Sequence, residues 1–151
     1  MKKGISQKNQ RKSVGFLLGS TVLVVIVAMA FAFTPMKQEK PAAAWVAPES
    51  ANALKNPEKD NAAATAKGKS LYNSMCASCH GKEGKGDGGA GAALKPKPTD
   101  HTSAKTQAET DGALFWKIGE GKGGMLSYKK QLKDEQRWQL VNYIRKLAAK
   151  K

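Results

Sequence analysis

The sequence predicts an all-α fold, and three observations support this prediction. Residues 134–149 carry apolar side chains at the i, i+3, i+4 spacing of one helix face. Residues 108–119 repeat that spacing over a shorter stretch. Nowhere does the chain alternate between apolar and polar residues as a half-buried β-strand does. The stretches between these segments are rich in Gly and Pro, which favours loops.

Three helices are therefore expected in the C-terminal part of the chain. The first is predicted over 65–77, the second over 108–119 and the third over 134–149. In the third, Asp134 and Glu135 precede the apolar stripe and basic residues follow it. This order suits the partial positive charge at the start of a helix and the negative charge at its end.

The composition leaves little material for a hydrophobic core. Only 7% of the 151 residues are aromatic, and the formal net charge is +14. Small domains with so little apolar surface often need a disulfide, a metal or a bound cofactor to fold. A large apolar cofactor would complete such a core.

Near the N-terminus, one segment is predicted to be a transmembrane helix. Residues 14–33 contain no charged side chain, and their length is sufficient for a helix to cross a bilayer. Residues 1–13 carry five basic residues and no acidic one, which predicts that they lie in the cytoplasm and that the later residues lie outside. A cleaved signal peptide is the alternative to an anchor, although its apolar region is usually shorter.

Residues 34–64 are dominated by Pro, Ala and charged side chains and predict a flexible linker. Trp45 and Leu54 are apolar exceptions that could dock on the domain or on a partner. Residues 65–151 then form the compact domain, with 15 Lys and 2 Arg against 8 acidic residues, a net charge of +9. Outside the cytoplasm, this charge favours acidic protein faces or anionic lipid over nucleic acid.

Both cysteines of the chain lie in the stretch "CASCHG", where Cys76, Cys79 and His80 are spaced i, i+3 and i+4. A zinc site typically takes four ligands from paired motifs, and a thioredoxin-like dithiol needs a βαβ context that is missing here. C-x-x-C-H is instead the signature of c-type haem attachment. On one helical turn these positions share a face, so both thiols can reach haem vinyl groups while His80 points at the iron.

Met125 and His101 are the candidates for a sixth iron ligand. Met125 follows the glycine-rich stretch "GEGKGG", so a loop could carry its sulfur to the far face of the haem. Its alternative role is to fill a gap in the core. His101 is predicted to be a surface histidine. Methionine ligation raises the reduction potential and closes the iron site, which suits electron transfer.

Residues 65–151 resemble the class I cytochrome c family, in particular small bacterial cytochromes with a single haem. The motifs that carry the resemblance are "GKSLYNSMCASCHG", "GKGDGG", "KPTD", "DGALFWKIGEG", "GGM" and "RWQLVNYIRKL". The resemblance implies the class I cytochrome c fold around one covalently bound haem c. It also implies that Cys76 and Cys79 attach the haem and that His80 and Met125 are the axial iron ligands.

The same resemblance implies specific contacts around the site. The first and last helices are expected to cross through Gly68, Tyr72, Leu140 and Tyr143. Tyr72 is expected to pack near the haem. A proline carbonyl, that of Pro98 or alternatively Pro96, is expected to accept the N–H of His80 and fix its orientation.

Two positions depart from the family pattern. Leu126 follows Met125 where the family usually has Pro, which affects the geometry expected for the ligand loop. Lys133 stands where Ser or Thr usually caps the last helix, and the missing cap should lower helix stability a little.

The resemblance implies an electron carrier rather than an enzyme, and the predicted anchor 14–33 would tether it on the periplasmic face of the bacterial inner membrane. Its implied partners are redox proteins with acidic docking faces, such as a quinol-oxidising complex, a terminal oxidase or a periplasmic reductase. One alternative is a fixed haem subunit of such a complex. Another, of a different class, is a gas sensor or peroxidase-like haem protein with an open sixth site.

Overall fold

Helices and loops make up residues 44–148, the part of the chain that the computed structural model describes. The helices are α1 (Glu49–Asn52), α2 (Ala62–Met75), α3 (Ala77–His80), α4 (Ala104–Gln107), α5 (Asp111–Glu120) and α6 (Asp134–Ala148), with a 3-10 turn at Gly89–Gly91. Within 44–148 the β-type pairing is an isolated bridge between Lys122 and Met125. The all-α prediction is therefore confirmed for these residues.

Several predictions from the sequence lie outside the described residues. They concern the cytoplasmic stretch 1–13, the anchor 14–33 and the beginning of the linker, 34–43. Between residues 44 and 148, none of the helices combines the length and apolarity that crossing a bilayer requires.

The fold is organised around the crossing of α2 and α6. A Cβ atom added to Gly68 would lie 1.9 Å from the carbonyl oxygen of Gln139, so the two backbones touch where a side chain has no room. Next to this contact, Tyr72 and Leu140 are almost fully buried, and the rings of Tyr72 and Tyr143 lie 5.2 Å apart. The crossing implied by the family resemblance is confirmed.

Polar side chains define where these helices begin. Asn61 caps α2 because its side-chain oxygen accepts the N–H of Ala64, which starts the helix three residues before the predicted position. At α6, the side chain of Gln136 accepts the N–H of Lys133 at 2.9 Å. This bond is half of a capping box, so the helix start retains a partner despite the absence of Ser or Thr.

Helix α5 supplies the second layer of the core. Phe115 stacks on Trp138 of α6 with ring centroids 4.0 Å apart, and Leu114 and Ile118 are buried beside them. The guanidinium of Arg137 also packs on the Phe115 ring, 4.0 Å from the ring centroid. The predicted apolar faces of the last two helices are thus the faces that meet.

Residues 44–61 form a segment that we call the N-terminal strap, and they correct the linker prediction. Trp45 packs against Trp116 with ring centroids 6.2 Å apart. Ala47 and Ala51 are buried together with Ala113 of α5. This part of the predicted flexible linker is therefore packed on the domain, because it carries small apolar side chains that fit the outer face of α5.

Hydrogen bonds hold the rest of the strap. Thr110 donates to the Asn52 side chain at 3.0 Å. The Asn56 amide donates to Asp111 at 3.0 Å and to Asn142 at 2.8 Å, which connects the strap to α5 and α6. The structural domain consequently begins at about residue 44 and not at 65.

Candidate haem-attachment site

The thiols of Cys76 and Cys79 and the imidazole of His80 lie at and just after a break between two helices. Helix α2 ends at Met75, Cys76 has φ −115° and ψ −35°, and α3 restarts at Ala77. The N–H groups of Cys79 and His80 both donate to the carbonyl of Cys76, at 3.2 and 2.9 Å. The predicted helical turn is therefore formed, and it brings all three side chains to one side. Both cysteines are free thiols.

A glycine-rich loop wraps behind this turn. The N–H of Gly86 donates to the carbonyl of His80 at 2.8 Å, and that of Gly88 to the carbonyl of Cys79 at 3.1 Å. A Cβ at Gly88 would lie 2.3 Å from the Ser78 carbonyl oxygen, so this position accommodates no side chain. The stretch "GKGDGG" thus supports the attachment turn by close backbone contact.

The orientation of His80 is fixed by a backbone carbonyl, and this finding corrects one prediction. His80 Nδ1 lies 3.1 Å from the carbonyl oxygen of Thr99, whereas Pro98 or Pro96 was expected. The Pro98 carbonyl instead faces Gly86, where an added Cβ would lie 2.3 Å from it. A carbonyl oxygen only accepts, so Nδ1 carries the hydrogen and Nε2 keeps its lone pair for a metal.

His101 lies in the site, so its prediction as a surface histidine is wrong. Its ring stacks on that of His80 with centroids 4.2 Å apart and an interplanar angle of 19°. Burial, and secondarily the nearby His80, lowers the pKa of His101 to about 3. The sequence carried no signal for this contact, because the two residues are brought together by the loop between them.

Tyr72 connects the site to the helix crossing. Its hydroxyl donates to the Gly81 carbonyl at 3.1 Å and lies 3.3 Å from His101 Nδ1. A hydroxyl has a single hydrogen, so the Tyr72 oxygen accepts from His101 Nδ1–H. Tyr72 therefore contacts both His101 and the end of the attachment turn, and its packing near the haem stays a prediction.

Met125 lies in a short loop after α5. The N–H of Lys122 donates to the Met125 carbonyl at 3.1 Å, and the N–H of Met125 donates to the Lys122 carbonyl at 3.0 Å. Gly121, with φ 67°, opens this tight turn. Met125 is half-buried, while Leu126 is 65% exposed. Iron ligation by Met125 stays a prediction.

The electrostatics of the site favour neutral groups. Burial, and to a lesser extent the neighbouring Cys79, raises the pKa of the Cys76 thiol to about 12. Burial also lowers the pKa of His80. A thiol that stays protonated is a weak nucleophile, so Cys76 itself is a poor attacking group in disulfide exchange. Within 44–148, no group of three or more His, Cys, Asp or Glu is arranged to hold a metal ion.

The donor set fits a covalently attached haem. Two free thiols and an unprotonated imidazole nitrogen are the groups needed for two thioether bonds and one iron ligand. Together with the crossing of α2 and α6, this site defines the protein as a c-type cytochrome domain, a class of electron-transfer module that binds haem c.

Comparison with known families gives the more specific assignment. The family described as cytochrome c oxidase, cbb3-type, subunit III matches residues 63–144. This match covers more than half of the chain, so the chain belongs to that family. A search of curated proteins finds no significant match.

A solved structure supports the same fold. It is a chain of a reducing HAO-like protein complex from Kuenenia stuttgartiensis, with a TM-score of 0.52 and 28% sequence identity. The similarity covers 62% of the present chain and 46% of that chain. The present chain thus corresponds to less than half of its neighbour's length.

Proposed function

We propose that the chain is a membrane-tethered c-type cytochrome that carries single electrons between respiratory-chain components on the periplasmic side of the bacterial inner membrane. The observation that carries this proposal is the arrangement of Cys76, Cys79 and His80 on one turn, with His80 Nδ1 bonded to the Thr99 carbonyl. This arrangement serves haem attachment and iron ligation together. The protein would act as a carrier and not as an enzyme.

Each residue has a distinct role in this proposal. Cys76 and Cys79 would hold one haem c through thioether bonds, and the haem would supply a one-electron couple at its iron. His80 keeps its Nε2 lone pair available because Nδ1 retains its hydrogen against Thr99. Met125 would supply a neutral thioether sulfur as the second protein ligand to the iron. The same two ligands in both oxidation states would keep structural reorganisation small.

Covalent attachment is tested by denaturing the purified protein in acidic organic solvent. The haem should stay with the wild-type polypeptide. Replacement of both cysteines, C76S plus C79S, should abolish this retention, and S78A, which lies between them, should not. Release of the haem from the wild type would contradict the assignment as a c-type cytochrome.

The carrier role is tested by absorption spectra of both redox states with and without carbon monoxide. A six-coordinate carrier should show the same ferrous spectrum in either condition, because both axial positions are filled. A wild type that binds carbon monoxide readily would favour the gas-sensor or peroxidase-like alternative.

The tether is a separate part of the proposal, motivated by the uncharged residues 14–33 and the basic residues before them. The full-length protein should stay in the membrane fraction after washing with high salt or carbonate. A mature protein that begins near Phe33 and is free in the periplasm would contradict the anchor and indicate a cleaved signal.

A second candidate is a fixed haem subunit of a larger redox complex. The family description as an oxidase subunit and the neighbour's membership of a protein complex favour this candidate. Solubilisation in mild detergent followed by native electrophoresis distinguishes the two. A carrier should migrate alone at physiological salt, whereas a fixed subunit should stay with its complex.

A further inference from the structure

We propose that His101 is a positioning residue that sets the plane of the His80 imidazole. The inference deepens the proposed function, since it takes His80 as an iron ligand. Its basis is the stacked contact between the two rings, with centroids 4.2 Å apart and planes inclined by 19°. Neither the C-x-x-C-H motif nor the carbonyl of Thr99 accounts for this contact.

A hydrogen bond alone leaves one freedom of the imidazole poorly restrained. The bond from His80 Nδ1 to the Thr99 carbonyl fixes the direction in which that nitrogen points. It constrains the tilt of the ring about the bond only weakly, because hydrogen-bond energy varies slowly around the donor axis. A flat ring stacked on one face of the imidazole blocks this tilt by direct contact.

His101 is itself held from several directions, which a positioning role requires. Its backbone N–H donates to the Gly84 carbonyl at 2.6 Å, and its carbonyl accepts the Gln107 side-chain amide at 2.6 Å. Its Nδ1 lies 3.3 Å from the hydroxyl of Tyr72, a residue that is fully buried. The ring on which His80 rests is therefore anchored to the helix crossing through Tyr72.

The plane of an axial imidazole matters for electron transfer. It determines how the ligand overlaps with the iron orbitals, and ligand orientation by neighbouring groups tunes the metal. In the ferric state this overlap distributes the unpaired spin over the haem. A single fixed plane gives a single spin distribution, and a ring that tilts gives an average or a mixture.

Proton NMR of the ferric full-length holoprotein responds to a change in this plane through the positions of the haem methyl resonances, whose pattern depends on the orientation of both iron ligands. H101L removes the flat ring while keeping a side chain of similar bulk, and it should change the order or the spread of these resonances. H101F keeps a flat ring and should retain the wild-type order. Retention by Phe and loss with Leu together indicate stacking and not a hydrogen bond from His101.

A matched control separates positioning from loss of stability. Val141 is fully buried on α6, so V141A should lower the unfolding temperature but leave the methyl order unchanged. If H101L shows the wild-type methyl pattern, the proposal is wrong. If H101L and V141A shift the pattern alike, the effect is general loosening, and the proposal is also wrong. Neither outcome depends on electron transfer, and failure of the proposed function would show separately in wild-type haem retention and carbon monoxide binding.

Discussion

At the scale of single residues, the site depends on which atom of His80 carries its hydrogen. The Thr99 carbonyl can only accept, so it selects the tautomer with the hydrogen on Nδ1 and leaves the Nε2 lone pair available for the proposed iron ligation. Any residue could supply this carbonyl, because the backbone provides it. For this reason the identity of the side chain at position 99 matters less than the path of the loop.

The sixth ligand is the residue-scale feature that most affects function. M125A should lower the reduction potential and open the ferrous iron to carbon monoxide, because thioether sulfur favours ferrous iron and fills the site. Potentiometric titration and ferrous spectra under carbon monoxide measure these two effects. L126A, which alters the exposed neighbour, is the matched control and should change neither. A wild-type potential in M125A would exclude Met125 as the ligand.

At the scale of elements, the crossing of α2 and α6 has no room for a side chain at Gly68. G68A should destabilise the holoprotein by about 3 kcal/mol or more, because the added Cβ would lie 1.9 Å from the Gln139 carbonyl oxygen. Guanidinium unfolding measures this loss. G89A is the matched control, since no atom other than those of its chain neighbours lies within 4 Å of a Cβ at that position. Equal unfolding midpoints for the two variants would contradict the observed crossing.

The N-terminal strap is the second element with a measurable contribution. Trp45 packs on Trp116, and the ammonium groups of Lys117 and Lys122 lie 5.4 and 6.0 Å from its ring centroid. W45A should therefore lower the free energy of unfolding by about 1–2 kcal/mol. The adjacent V46A should have almost no effect, since Val46 is 73% exposed. A W45A protein as stable as V46A would indicate that the strap detaches in solution.

At the scale of the whole molecule, charge should control encounters with partners. Residues 65–151 carry a net charge of +9. Lys69 of α2 and, outside that range, Lys55 and Lys59 of the strap line an open groove of about 1060 Å³ between the strap, α2 and α6. None of Cys76, Cys79 and His80 lines this groove. The positive charge is thus spread well beyond the attachment turn.

Reaction with an acidic redox protein should slow as salt is added. Between about 10 mM and 150 mM ionic strength, the Debye length falls from about 30 Å to about 8 Å, and the bimolecular rate constant should drop about tenfold. Stopped-flow kinetics measures this decrease. An uncharged small-molecule oxidant is the control and should react at the same rate throughout. If the rate constant with the protein partner did not change with ionic strength, the lysines would not steer docking.

The sequence by itself determined the features that depend on neighbours along the chain. The turn of Cys76, Cys79 and His80 follows from positions one helical turn apart, and the buried face of α6 follows from the spacing of its apolar residues. Motifs of the cytochrome c family also indicated the crossing through Gly68, because close backbone approach requires glycine.

Tertiary structure alone decided the contacts between distant residues. The carbonyl that holds His80 belongs to Thr99 and not to Pro98, since a shift of one residue in a loop changes the partner without changing the local pattern. His101 stacks on His80 only because the loop returns across the attachment turn. The sequence alone could not distinguish the strap from a linker. Its small apolar side chains are buried against α5, and that surface exists only once the chain has folded.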